Sequence, residues 1–125
     1  MKKSIYYWSP CLTNIATIKA TINSALSLTK YSDQYDVKII NVCGEWNKYK
    51  NYLLENNVSL ENLSFNYYRF LPKNGFVKYR FSFFIIFLVS FFPLIFLIKR
   101  KKPDYFMIHM ITSLPLILFN FFKLE

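Results

Sequence analysis

Ser4-Ile5-Tyr6-Tyr7-Trp8-Ser9-Pro10 near the amino end and Pro103-Asp104-Tyr105-Phe106-Met107-Ile108-His109 near the carboxyl end decide the fold. In the first stretch an apolar and aromatic run, residues 5–8, stops at Ser9-Pro10. Such a run closed by a turn signal predicts a buried strand. The second stretch predicts another strand over residues 104–110. Between them, Ile15, Ile18, Ile22, Ala25, Leu26 and, less regularly, Leu28 recur near helical spacing. They predict a helix capped by Thr13 or Asn14 and running to about Tyr31. Residues 37–42 (Val-Lys-Ile-Ile-Asn-Val) form a second expected strand, ending at Cys43-Gly44.

Residues 45–56 are polar, with Trp46, Tyr49, Leu53 and Leu54 on one side, and predict a surface helix. Residues 65–70 predict a third strand, Pro72-Lys73-Asn74-Gly75 a turn, and a long apolar helix follows to about Lys101. Residues 113–122 begin a further helix with Pro115 in its first turn. The order β-α-β-α-β-α-β-α implies an α/β fold: a Rossmann-like parallel sheet with right-handed crossover helices. Its first and fourth strands are expected to be central. No strand follows the last helix, so the sheet is expected to be incomplete at the carboxyl end, with residues 1–125 as one domain of a larger protein.

Composition narrows the classes. The 125 residues are 54% hydrophobic, 21% aromatic and 18% charged, so disorder is excluded by the apolar surface available for burial. Two Cys and two Gly exclude disulfide-scaffold and collagen-like readings. Cys11 and Cys43 are lone thiols with no metal-ligand spacing around them, and no metal is expected. The opening residues do not form a secretory signal, so a cytoplasmic setting is the default. Neither G-x-G-x-x-G nor a Walker-type phosphate loop occurs, which weighs against a dehydrogenase or P-loop enzyme. The net charge of +9 favours anionic partners. An A/T-rich codon bias is a competing source of the lysines, since Phe, Ile, Tyr, Met, Asn and Lys make up 64 residues.

The opening strand Tyr6-Tyr7-Trp8-Ser9-Pro10, the helix from Ala16 to Ala25, and the segment from Pro103 to His109 together resemble the N-terminal half of bacterial glycosyltransferases of the GT-B fold, family 4 type. In that family a Pro-Asp pair opens a strand ending in His, followed by a loop and a Leu-rich helix. Thr112-Ser113-Leu114-Pro115-Leu116 occupies that place here. The resemblance spans essentially the whole chain as one acceptor-binding half. It implies that the parent enzyme transfers a sugar from a nucleotide-sugar donor to a membrane-linked or surface-polysaccharide acceptor. It implies no other cofactor, and a donor bound mainly by a C-terminal domain that these residues do not include. Two departures stand out. Cys11-Leu12-Thr13-Asn14 replaces the Gly-Gly pair found in many members, and the family's paired glutamates belong to the other half.

The resemblance places His109 as the catalytic residue, facing the cleft near the transferred sugar; a strand-end His held by a backbone group is the plainer alternative. Ser9, Thr13 and Asn14 lie at a helix start, where unsatisfied N–H groups favour anions, and are candidates for acceptor contact or for ordinary capping. Glu45 and Trp46 follow the second strand at the same sheet edge, one able to hold a hydroxyl and the other to stack on a sugar or to cover a helix start. Thr112 and Ser113 complete the acceptor-binding set.

The charge-free run 81–98 holds 15 apolar residues of 18, broken by Ser82, Ser90 and Pro93. It is at the threshold length for a membrane span. Basic residues flank both ends, so charge gives no orientation. The strands on either side must join one sheet, which a single span would prevent. A helix against the sheet with one face in lipid is therefore expected. Lys99, Arg100, Lys101 and Lys102 would contact an anionic membrane, each adding roughly 1 kcal/mol. The expected location is the cytoplasmic face of the inner membrane, peripheral. A small integral membrane protein with no catalytic role is the alternative. Nucleic acid ranks last as a partner, because no recognisable binding module is present.

Overall fold

The computed structural model describes residues 1–12, 16–63 and 65–109. Four strands form one sheet: β1 (Lys3–Trp8), β2 (Tyr35–Asn41), β3 (Ser59–Asn62) and β4 (Tyr105–Ile108), in the order β3-β2-β1-β4. All three pairings are parallel, with Ile5 opposite Val37 on one side and Tyr105 on the other. Three helices connect them: α1 (Ala16–Tyr31), α2 (Lys50–Glu55) and α3 (Phe76–Lys101). The expected α/β parallel sheet with crossover helices is therefore present.

Alternation along β1 divides the core. Ile5 and Tyr7 point to the face covered by α1 and α2, where they meet Ile18, Ala25 and Leu53. Tyr6 and Trp8 point to the opposite face, covered by α3 through Ile86, Phe87, Leu94 and Ile95. With both faces covered, the central strands read as continuous apolar runs rather than alternating ones. Ile18, Thr21 and Ala25 bury one stripe of α1 at spacings of three and four.

Topology follows from handedness. The chain steps from β1 to β2 to β3 in one direction, then returns through α3 to place β4 on the other side of β1. Right-handed crossovers put a reversed step on the opposite face of the sheet, which is where α3 lies. Among the described strands β1 and β2 are interior and β4 is at an edge. The expected central position holds for β1 and not for β4 within these four strands.

The third strand differs from the sequence expectation. It is Ser59-Leu60-Glu61-Asn62, a short polar edge strand, and not residues 65–70. Edge strands have only one partner and tolerate polar, half-exposed side chains, so the aromatic run gave the stronger false signal. Within that run Phe65 and Phe70 are exposed while Tyr67 is buried. The segment instead crosses the carboxyl edge of the sheet as a loop ending in a 3₁₀ turn at Tyr68–Phe70. Tyr68 N–H donates to Cys43 O at 3.0 Å, and its hydroxyl donates to Leu12 O at 2.7 Å. The expected helix 45–56 is a 3₁₀ turn at Asn47–Tyr49 followed by the shorter α2. The expected helix at 113–122 lies outside the described residues.

Candidate functional site

β1 and β4 are neighbours whose outgoing and incoming crossovers run over opposite faces. In open α/β sheets the crevice beyond the carboxyl ends of two such strands is the usual ligand position. Ser9 leaves β1 at that point and His109 leaves β4 beside it.

The two are joined directly. His109 N–H continues the β1–β4 ladder by donating to Trp8 O at 3.1 Å. Ser9 Oγ donates to His109 O at 3.2 Å. Thr21, on the buried stripe of α1, brings its hydroxyl to 2.9 Å from both Ser9 Oγ and His109 Nδ1. Tyr7 meets the imidazole edge-on at 5.5 Å between ring centroids, and its own hydroxyl is 2.7 Å from Ser24 Oγ. Backbone and ring of His109 are both fixed, yet the residue stays partly exposed. Ser9 is fully buried, so its hydroxyl is turned to His109 and α1 rather than outward.

Asp104 explains the Pro-Asp pair that opens β4. Its Oδ2 accepts from Ser4 N–H at 2.7 Å and from Ser4 Oγ at 3.1 Å. Those bonds to the ionised form hold its carboxyl below the usual carboxylate range. They also pin β4 to β1 at the end of the ladder opposite His109.

Glu45 and Trp46, candidates for sugar contact with a helix-start cover as the alternative for Trp46, are buried, at 1% and 0% exposure. The carboxylate of Glu45 accepts from the N–H groups of Val42 and Cys43 at 3.1 and 2.8 Å and from Cys43 Sγ at 3.3 Å. It ties down the backbone just past β2 through those two amides. Burial nevertheless raises its carboxyl above the ordinary range, against the lowering effect of those bonds. Trp46 Nε1 donates to Ser9 O at 3.2 Å, so the indole braces the first loop from below. Burial, aided by Glu45, pushes the thiols of Cys11 and Cys43 well up, so neither is a thiolate nucleophile near neutral pH. Gly44 makes this corner possible. It sits at φ +98°, and a Cβ there would lie 2.5 Å from Asn66 Oδ1.

Thr13, Asn14, Thr112 and Ser113 lie outside the described residues. Lys99, Arg100 and Lys101 end α3, and Lys102 caps it in the left-handed conformation. Lys101 Nζ lies 3.8 Å from Glu61 Oε1, so one of the four expected membrane contacts also ties α3 to β3. No cluster of three His, Cys, Asp or Glu suited to a metal occurs among the described residues.

Sequence reasoning named Ser9 and His109, which the fold brings together, but passed over Thr21. A signal existed: a hydroxyl residue on the apolar stripe between Ile18 and Ala25 needs a buried partner. Comparison with protein-family models, curated proteins and solved structures returns no match.

Proposed function

We propose that this domain is the acceptor-binding half of a GT-B-type glycosyltransferase, holding a lipid-linked or surface glycan at the crevice between β1 and β4. The observation that carries the reading is the Ser9–Thr21–His109 cluster at the point where the strand order reverses. A fixed imidazole on a partly exposed residue suits a neutral, hydroxyl-rich ligand: it can accept a hydrogen bond or take a proton as a general base. In this reading the nucleotide-sugar donor is bound mainly by a second domain, and no metal or other cofactor is called for.

We also propose that the domain works at the cytoplasmic face of a membrane, as a peripheral protein. α3 is long and apolar enough to cross a bilayer, with a mean hydropathy of 2.8 in its most apolar window, of which 33% is buried. It is apolar on both sides: Ile86, Phe87, Leu94 and Ile95 face the core, and the outer side is apolar as well. Ser82 and Ser90 are fully buried, with hydroxyls donating to Pro72 O and Ile86 O. Phe81, Phe84, Leu88, Phe92 and Phe96 are exposed by about half to three-quarters. A soluble helix turns a polar face outward, and an apolar outer row of this kind favours lipid. Lys78 and Arg80 flank the row at one end, and Lys99 to Lys102 at the other, as an anionic surface requires. The opposite side of α3 packs on the sheet between β3 and β4, so a helix lying along the surface fits this fold better than a span.

Vesicle binding tests both parts. Binding to anionic vesicles should strengthen when the vesicles carry a glycolipid acceptor, and His109→Ala should remove that increment alone. No increment with any of a panel of bacterial glycolipids would contradict the acceptor reading. Retention in the membrane pellet after alkaline carbonate would contradict the peripheral one and favour an integral protein.

A further inference from the structure

We infer that Thr21 fixes the proton of neutral His109 on Nδ1, leaving Nε2 as a bare lone pair directed away from the cluster. The assignment comes from counting protons. Thr21 has one hydroxyl proton and three neighbours at 2.9 Å: Ser9 Oγ, Thr17 O and His109 Nδ1. Thr17 O can only accept. Ser9 Oγ directs its own proton to His109 O and is left as an acceptor toward Thr21.

If Nδ1 were also an acceptor, all three neighbours would compete for that one proton, and Thr21's oxygen would receive nothing. If Nδ1 carries hydrogen, it donates to Thr21, Thr21 donates to Thr17 O or Ser9 Oγ, and Ser9 donates to His109 O. That arrangement makes one more hydrogen bond, in a cluster where Ser9 and Thr21 are fully buried. Buried polar groups settle into the better-satisfied pattern. The hydrogen bond made by one imidazole nitrogen determines the state of the other, so Nε2 is the unprotonated one. Among the described residues Nε2 has no hydrogen-bond partner.

Thr21 is thus a positioning residue. It makes His109 an acceptor, or a base, rather than a donor toward whatever occupies the crevice. That the occupant offers a glycan hydroxyl rests on the acceptor reading above; where the proton sits does not.

His109 is the only histidine, so histidine labelled with nitrogen-15 gives a single imidazole spin system in the whole chain. Its two ring nitrogens are followed through a pH titration and read at the neutral limit. The expected result is a protonated Nδ1 and an unprotonated Nε2 in the native chain. Thr21→Val, which removes the hydroxyl at nearly constant shape, should move the proton to Nε2 or average the two forms, and Thr21→Ser should restore Nδ1–H. A native chain with its proton on Nε2 overturns the assignment outright, whatever the variants do. Retention of Nδ1–H in a folded Thr21→Val chain overturns the role of Thr21. If Thr21→Val does not fold, the native measurement still decides where the proton sits, and Ser9→Ala tests the cluster from its other side. There Thr21 keeps Thr17 O as acceptor, and Nδ1–H should persist; its loss would contradict the proton count. A glycan that binds without disturbing a confirmed Nε2 lone pair would count against the acceptor reading alone.

Discussion

Glu45 shows how a side chain at the carboxyl edge of a parallel sheet can belong to the scaffold. Its two oxygens take the N–H groups of Val42 and Cys43, and an amide in its place would turn an NH₂ toward one of them. Glu45→Gln should therefore destabilise the fold by about 1–3 kcal/mol, the cost of an unsatisfied buried donor, as measured by urea unfolding. The pH dependence has a definite sign. Because the folded carboxyl titrates higher than the unfolded one, its contribution is fully present below the ordinary carboxylate range. It declines as pH rises through the higher folded value. Glu45→Gln should abolish that decline. His109→Ala should cost about 1 kcal/mol through the lost Thr21 bond, while weakening glycan binding by about tenfold or more.

The strands that lead to Ser9 and His109 were legible because Ser9-Pro10 closes the first and the Pro-Asp pair opens the other. The inward turn of Glu45 and Trp46 was not, since it depends on how the backbone past β2 presents the amides of Val42 and Cys43 to Glu45. That is a tertiary fact. Sequence placed these residues at the right edge and gave no direction.

Among the elements, α1, β1 and α3 follow from periodicity and run length, while β3 does not. Ser59-Leu60-Glu61-Asn62 carries almost no strand signal and pairs because Lys38, Ile39, Ile40 and Asn41 offer the open edge of β2. Asn41 holds this side together, donating through Nδ2 to Asn47 Oδ1 at 2.7 Å and Asn62 Oδ1 at 2.8 Å. The apolar run of α3 was plain in sequence, but not that Ser82 and Ser90 face inward while Phe81, Phe84, Phe92 and Phe96 face outward. Two expected outcomes separate charge from insertion. Gln at all four of Lys99, Arg100, Lys101 and Lys102 should weaken binding to anionic vesicles, chiefly at low salt, where screening is weak. The loss should fall short of the roughly 1 kcal/mol per charge expected of unpaired residues, because Lys101 also serves Glu61. Ser at Phe84, Phe92 and Phe96 should weaken binding at low and high salt alike, since apolar burial is unscreened. Cosedimentation at two salt concentrations reads both.

For the molecule as a whole, the order β3-β2-β1-β4 puts the proposed lipid-facing row and the proposed ligand crevice on different parts of one domain. α3, with Tyr67 and Leu71 beside it, covers one face of the described sheet and leaves its outer row exposed, while the crevice between β1 and β4 opens at the carboxyl edge. A peripheral helix lying flat would hold that edge close to the headgroups, within reach of a lipid-linked glycan. With the donor site assigned to a second domain, the 125-residue chain should show no sugar transfer from any nucleotide sugar, measured with radiolabelled donors. The most direct measurement of the central claim is a titration of the His109 imidazole resonances with soluble acceptor oligosaccharides, and separately with nucleotide sugars. A saturable shift with a glycan and none with the nucleotide sugars is the predicted result. A shift with the nucleotide sugars, or none with any glycan, would contradict an acceptor site between β1 and β4.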